Sequence, residues 1–321
     1  MRHALEALTD ELRRLKAAGV KNVAVSEESL VALHRVVEQR GSIHAAGVAA
    51  PRESAVVARN EVTPPTSSQA PSAPTRPAPA TPPPTPKATL PEGVAPIPTT
   101  APTIVLPEGD KAARWAALRE RVLNDPTCTA HVRPGKKVVL GVGSLDASIM
   151  FVGEAPGAEE EVQGEPFVGP AGQLLTKMIQ AMGLQREQVY IGNIMNWRPE
   201  LPVAGGGSQV GNRPPTEEEM RYCLPYLRAQ IEVVNPKLLV ALGATAAQGL
   251  LGFGSFKALG DVRGKWHEFS GKPLMITYHP SYILRNQSNR SKRMIWEDLL
   301  KVMERVGLSI SDRQRGFFLD K

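Results

Sequence analysis

Cysteine is almost missing from this chain: Cys128 and Cys223 are the only two in 321 residues. Two thiols cannot build a four-cysteine zinc site or a four-thiolate iron–sulfur cluster within one polypeptide. In a reducing compartment they read as buried small hydrophobes, not as ligands or a disulfide. Aromatic side chains are sparse, at 5% beside 42% hydrophobic residues in all, which is an ordinary balance for a soluble protein. No run approaches the about 18 apolar residues that a membrane span requires, and the N-terminus lacks a charged-then-apolar leader pattern. A cytoplasmic location is therefore expected, with no membrane partner. Negative charge is in deficit. The net charge of +6 and pI near 9.4 favour a polyanionic partner, because lysines and arginines that neutralise phosphates release counterions.

Order along the chain is uneven. Residues 1–45 read as two amphipathic helices, the first with Leu5, Leu8, Leu12 and Leu15 on one face and the second from Ser29 to Gln39. So short a segment cannot bury much core alone; a protein partner for it, docking onto the rest of its own chain, and a weakly ordered tail all remain open. Residues 46–109 are dominated by proline, alanine, threonine and serine, as in Pro82-Pro-Pro-Thr-Pro86. That composition cannot pack a core and predicts a disordered, extended tether.

From Asp110 strand and helix signals alternate. Strands are predicted at Lys137 to Leu140, Ser148 to Val152, Gln188 to Ile194, Lys237 to Leu242 and Leu274 to Tyr278. Helices are predicted at Lys111 to Leu123, Ala171 to Met182, Thr216 to Val234, Ala244 to Leu251 and Ser291 to Val306. Alternation of this kind implies a largely parallel sheet covered on both faces, here a domain over residues 110–308 followed by a tail at 309–321.

Two of these strands deliver polar loops. Ser148-Ile-Met-Phe-Val152 runs into Gly153-Glu-Ala-Pro-Gly157 and Gly164-Glu-Pro-Phe-Val-Gly169, and Leu274-Met-Ile-Thr-Tyr278 runs into His279-Pro-Ser-Tyr-Ile-Leu-Arg-Asn286. Between them lie Ile191-Gly-Asn-Ile-Met-Asn-Trp-Arg-Pro199, Asn212-Arg-Pro-Pro-Thr-Glu-Glu-Glu219 and Cys223-Leu-Pro-Tyr226. In order and spacing, over roughly residues 115 to 306, these segments resemble the uracil-DNA glycosylase superfamily, most closely its family 4. The resemblance implies an α/β three-layer sandwich with a central, mostly parallel sheet flanked by helices. It also implies a monofunctional enzyme of base excision repair that acts on uracil-containing DNA, hydrolyses the N-glycosidic bond and leaves an abasic site. A monomer associated with the nucleoid is expected.

The resemblance also assigns roles. His279 corresponds to the residue that stabilises charge developing on uracil O2. Asn193, at a strand end, offers an acceptor and donors that match the N3–H and O4 of uracil and mismatch cytosine. Phe167 corresponds to the aromatic that stacks on the flipped base. Glu154 would orient the attacking water or stabilise positive charge on the sugar, Glu160 would contact the base or shape the loop, and the backbone of Ala155 would face uracil. For DNA, the resemblance and the turn chemistry point to Gly169 and Gly172 at a helix start, to Thr245, Ser281 and Lys292, and to Leu284 or Arg285 as a wedge. Arg290 and Arg293 are further candidates for the backbone track.

The chain departs from the family in two places. Typical members hold an iron–sulfur cluster on four cysteines; here Asp125 and Trp197 stand at two of those positions, with Cys128 and Cys223 as remnants. No cofactor is therefore expected, the competing reading being a cluster on two cysteines and an aspartate. A glycine-rich insertion at 200–211 also lies next to the Asn193 motif. The rival functions are a glycosylase for other deaminated bases, such as hypoxanthine or xanthine, and a catalytically silent DNA-binding repair scaffold.

Overall fold

The computed structural model describes residues 94–201 and 209–319. The helices expected in residues 1–45, most of the proline-rich stretch and the middle of the glycine-rich insertion lie outside the described residues. Helix α1 (Lys111–Leu123) begins where Asp110 accepts the Ala113 amide, and α2 (Pro126–Ala130) where Asp125 accepts the Cys128 amide; each carboxylate satisfies a donor left open by the first helical turn. Next along the chain come β1 (Val142–Gly143), β2 (Ile149–Gly153), α3 (Ala158–Gln163), α4 (Pro170–Ala181), β3 (Tyr190–Asn193), α5 (Glu217–Val234), β4 (Leu238–Leu242), α6 (Ala244–Leu251), α7 (Leu259–Val262), β5 (Trp266–Phe269), β6 (Lys272–Thr277), α8 (Pro280–Arg285), α9 (Asn289–Val306) and α10 (Asp312–Arg315).

The six strands form one sheet in the order β1-β3-β2-β4-β6-β5. β3, β2, β4 and β6 are parallel, and the short edge strands β1 and β5 pair antiparallel. Every residue of β2 and β4 is buried, as expected where helices cover both faces and the strands read as continuous apolar runs. Side chains alternate across the sheet. Ile149 and Phe151 pack with Leu175 and Ile179 of α4 and Leu299 of α9, whereas Met150 and Val152 pack with Leu118 of α1, Leu227 of α5 and Ala247 of α6. This is the three-layer α/β architecture that the sequence pattern implied.

Four local details differ from that pattern. The segment 137–140 is not a ladder strand: Val139 donates to the Asn196 carbonyl at 2.8 Å, and regular pairing starts only at Val142. Strand β5 escaped the pattern because Trp-His-Glu-Phe is mostly half-exposed and mixed in polarity; Ser270 and Gly271, with φ of 52° and 70°, make the two-residue turn into β6. Residues beyond 308 dock and do not trail. Gln314 accepts the Trp296 indole N–H at 2.6 Å through its carbonyl and donates to the Ala181 carbonyl at 2.9 Å, and Phe317 packs on Trp296. Upstream, Ile97, Ile104 and Leu106 pack against the core, because isolated aliphatic residues bury wherever a neighbouring surface is complementary, whatever the composition around them.

Candidate active site

The parallel strands end on one side, and their outgoing loops converge. Glu154 after β2, Asn193 at the end of β3, Gly243 after β4 and His279 after β6 all line one pocket of about 590 Å³, in the crevice beyond the carboxyl ends where open α/β sheets place ligands. Ala155, Glu160, Phe167, Gly169, Ser281 and Arg285 line it as well.

Close packing sets the pocket wall. A Cβ on Gly153 would stand 2.3 Å from Asn193 Oδ1 and 2.5 Å from the Phe167 ring, so only glycine lets the aromatic ring and the amide share the strand end. Phe167 adopts φ 55°, a left-handed conformation that costs a non-glycine residue about 1–2 kcal/mol. Helix α4 holds it there: a Cβ on Gly172 would come within 1.9 Å of the Phe167 carbonyl oxygen. Asn193 is 6% exposed, and its Oδ1 is buried with no hydrogen-bond partner. A buried unpaired acceptor costs about 1–3 kcal/mol, a cost that a ligand N–H would relieve.

His279 caps α8. Its Nδ1 accepts the Ser281 amide at 3.2 Å and lies 2.8 Å from the Ser281 hydroxyl. A backbone N–H pointing at Nδ1 places the ring proton on Nε2, so the neutral imidazole is a donor at its far edge. Burial, reinforced by Arg285 and partly opposed by Glu160, pushes the imidazolium pKa down to about 4. The ring lies 5.7 Å from that of Phe167. Ser281, expected at DNA, therefore has its hydroxyl on the histidine.

The two carboxylates are placed differently. Burial raises the Glu154 carboxyl above its ordinary range, and a hydrogen bond from the Thr245 side chain partly offsets this. Thr245, expected at a phosphate, thus faces Glu154. Glu160 accepts three backbone N–H groups, those of Gly157, Val168 and Gly169, each at 3.0 Å. Its oxygens staple the two halves of the loop that carries Phe167.

Sequence reasoning gave no role to Arg198, although the residue stands in a quoted motif. The side chain is 6% exposed and binds Glu161 at 2.9 Å, Asn212 Oδ1 at 2.8 Å and the Gly211 carbonyl at 2.7 Å. It ties α3 to the segment after the insertion, so that Asn212 and Arg213 also reach the pocket wall. The only sequence signal was its place in the quoted Ile191-Gly-Asn-Ile-Met-Asn-Trp-Arg-Pro199 segment. At the rim, Leu284 is 41% exposed on α8, and Arg285 and Arg290 are exposed while Lys292 is half-buried. Arg293 is committed elsewhere: it binds Glu297 and the carbonyls of Arg315 and Phe317, so it does not extend the backbone track.

The four positions where the resembled family places a cluster are all buried, and Cys128, Trp197 and Cys223 share one core cluster. Cys128 and Cys223 are free thiols, fully buried within it. The neighbouring Cys223 and burial push the Cys128 thiol up from its ordinary value. Asp125 accepts the Cys128 amide at 2.7 Å, the Tyr226 hydroxyl at 2.7 Å and the Tyr222 hydroxyl at 2.9 Å. Trp197, 0% exposed, stacks on His131 with ring centroids 5.0 Å apart. Two thiols, a carboxylate engaged by two tyrosines and an indole do not supply the four thiolates of such a cluster. Among the described residues no group of three or more His, Cys, Asp or Glu side chains is placed to hold a metal ion.

Comparison with known proteins agrees with this geometry. A family model described as the uracil DNA glycosylase superfamily matches residues 140–300. The chain is 44% identical over 183 residues to a type-4 uracil-DNA glycosylase of Thermotoga maritima, covering 57% of this chain and 89% of the relative. It is 39% identical over 181 residues to a type-4 enzyme of Pyrobaculum aerophilum, covering 54% and 87%. A type-5 uracil-DNA glycosylase of the same organism is 29% identical over 179 residues, covering 51% and 73%.

Proposed function

The chain belongs to the uracil-DNA glycosylase superfamily, and from that premise we propose how its pocket excises uracil from DNA. Hydrolysis of the N-glycosidic bond separates a uracil anion from a sugar with oxocarbenium character. The base must leave the duplex stack to enter so enclosed a site. Phe167 then offers a ring face, which holds any base. Selection falls to Asn193. Its unpartnered Oδ1 accepts the N3–H of uracil, and the amide N–H reaches O4; cytosine, with an amino group at C4 and no N3 proton, would leave these groups unpaired, and such a mismatch supports strong discrimination. The orphaned Oδ1 of Asn193 is the observation that carries the reading.

As the bond breaks, His279 Nε2–H donates to uracil O2. The imidazole is neutral throughout the working pH range, so it stabilises the developing anion through a hydrogen bond and transfers no full charge. Glu154, ionised and steadied by Thr245, holds the water on the sugar side. Glu160 keeps the Phe167 loop in place. Leu284 and Arg285 on α8 enter the stack as the nucleotide leaves. Neither a metal nor a cluster takes part in any step, in accord with the donor set at Asp125, Cys128, Trp197 and Cys223. The cytoplasm, with the nucleoid, is the compartment this reading assigns, and the enzyme acts as a monomer.

The test is release of uracil from oligonucleotides carrying one uracil, single-stranded and opposite G or A. Strand breakage should appear only after alkali, and Asn193→Ala should abolish it while leaving DNA binding intact. Intact substrate with wild type, but cleavage of hypoxanthine- or xanthine-containing strands, would transfer the activity to other deaminated bases. The pH profile provides a second check. Because burial raises the Glu154 pKa and the carboxylate is the working form, kcat should fall in acid with a midpoint above the ordinary glutamate value. Glu154→Gln should lower kcat and remove that limb. An unchanged acid limb in Glu154→Gln would sink this assignment.

A further inference from the structure

Beside the edge strand β1 runs a groove of about 750 Å³ that the pocket chemistry does not use. Its walls carry Arg119 from α1 and Arg133, Lys136 and Lys137 from the loop ahead of β1, with Glu165 the single carboxylate and Trp115 the single large aromatic. We infer that this groove holds the phosphate backbone of the DNA strand to one side of the extruded nucleotide, so that the binding footprint reaches well past the pocket. The inference rests on the glycosylase reading for the identity of the polyanion, and it adds a surface to which nothing in that reading assigns a role.

Three observations carry it. The first is charge: four cations face one carboxylate, and Glu165 is itself drawn to Arg186. The nearby Glu161 is bound to Arg198 at 2.9 Å and pairs more loosely with Lys136 at 3.9 Å, so it offsets only part of that lysine's charge. The second is continuity. The first residues of α3, Ala158 to Glu160, line the pocket, while Gln163, its last, lines the groove. A helix of this length spans about 9 Å, a distance that a strand covers in about two to three nucleotides at the duplex rise. A backbone leaving the pocket over α3 therefore meets Lys137 and Lys136 next. The third is the floor. Trp115 is half-buried and its indole N–H is committed to the Tyr190 hydroxyl at 3.0 Å, which fixes the ring in the wall as a flat face of the kind on which bases stack. An added peptide strand fits less well, because β1 offers only two ladder residues and peptide strands bind sheet edges through their backbone.

Lys136→Ala with Lys137→Ala, and separately Arg119→Glu, test this without touching the pocket. Equilibrium binding of uracil-free single-stranded DNA, followed against salt, should show a log–log slope shallower by roughly 0.7 for each cation removed. On uracil-containing strands, KM should rise severalfold for long oligonucleotides with kcat unchanged. For a trinucleotide with uracil at its centre, which is too short to reach the groove, both constants should match wild type. A salt slope equal to wild type overturns the proposal, as does an equal defect on the trinucleotide. Because the slope is read on DNA without uracil, failure of the groove is separable from failure of the glycosylase reading, which the wild type's own activity on the trinucleotide decides.

Discussion

Replacing His279 by alanine is expected to lower kcat on uracil-containing DNA by about 10²- to 10³-fold, the usual cost of removing one preorganised donor from a developing oxyanion. KM should change little, because the donor acts mainly where charge develops. Burial holds the ring pKa near 4, so the loss should be the same size from neutral to mildly acid pH; an imidazolium mechanism would instead show a rate that climbs as pH falls towards that value. Measuring single-turnover rates of wild type and His279→Ala across this range separates the two. A loss of less than tenfold would move the oxyanion role to another donor in the pocket. Ser281→Ala provides a graded control. It removes the hydroxyl at Nδ1 but keeps the Ser281 amide, which still directs the proton to Nε2, so only a several-fold fall is expected.

The second large effect is on stability. Asp125→Ala should destabilise the fold by about 3–4 kcal/mol: an N-cap is lost, which typically costs about 1 kcal/mol, and two buried tyrosine hydroxyls each lose a charged partner, at about 1–3 kcal/mol apiece before relaxation. In a domain of this size that corresponds to a drop in Tm of about 10 °C. Burial alone would raise the Asp125 pKa, but the Cys128 amide and the Tyr226 and Tyr222 hydroxyls outweigh it and hold it below the ordinary aspartate value. Since the folded value is the lower one, the stability this carboxylate contributes is present above the unfolded-state pKa and is lost as pH falls through the folded value. Thermal melts of wild type, Asp125→Ala and Tyr226→Phe, run alongside iron analysis, check the point. Wild type should be colourless and iron-free, with Tyr226→Phe costing about 1 kcal/mol. A brown wild-type protein whose colour vanishes in Asp125→Ala would show that the aspartate is a ligand.

The same residues show why the two halves of the molecule were not equally legible. A buried parallel strand must be apolar throughout, so Ile149 to Val152 and Leu238 to Leu242 announced themselves, and the glycines and prolines that end such strands marked where polar loops begin. The strand-end loops were therefore identifiable along the chain, and the resemblance assigned roles within them to Glu154, Phe167, Asn193 and His279. Their shared wall was an expectation, carried by the resemblance and by the strand-end geometry of open sheets. Edge elements gave weaker signals. Strand β5 is mostly half-exposed, and α10 is too short for a period, so both exist chiefly because neighbours receive them.

By itself the sequence determined the layered α/β scaffold, the charge that favours DNA and, through the shortage of cysteine, the impossibility of a four-thiolate site. Each comes from composition or a short-range period. Tertiary structure alone decided which polar groups are already spent. Glu160 is consumed by three loop amides, Ser281 by the histidine ring, Arg293 by the C-terminal turn and Asp125 by two tyrosines, whereas Asn193 Oδ1 is left unpaired at the pocket. Some of these partners, such as Asp125 and the two tyrosines, lie about a hundred residues apart, and even for near neighbours whether a buried donor or acceptor is satisfied depends on ångström distances that no local pattern encodes.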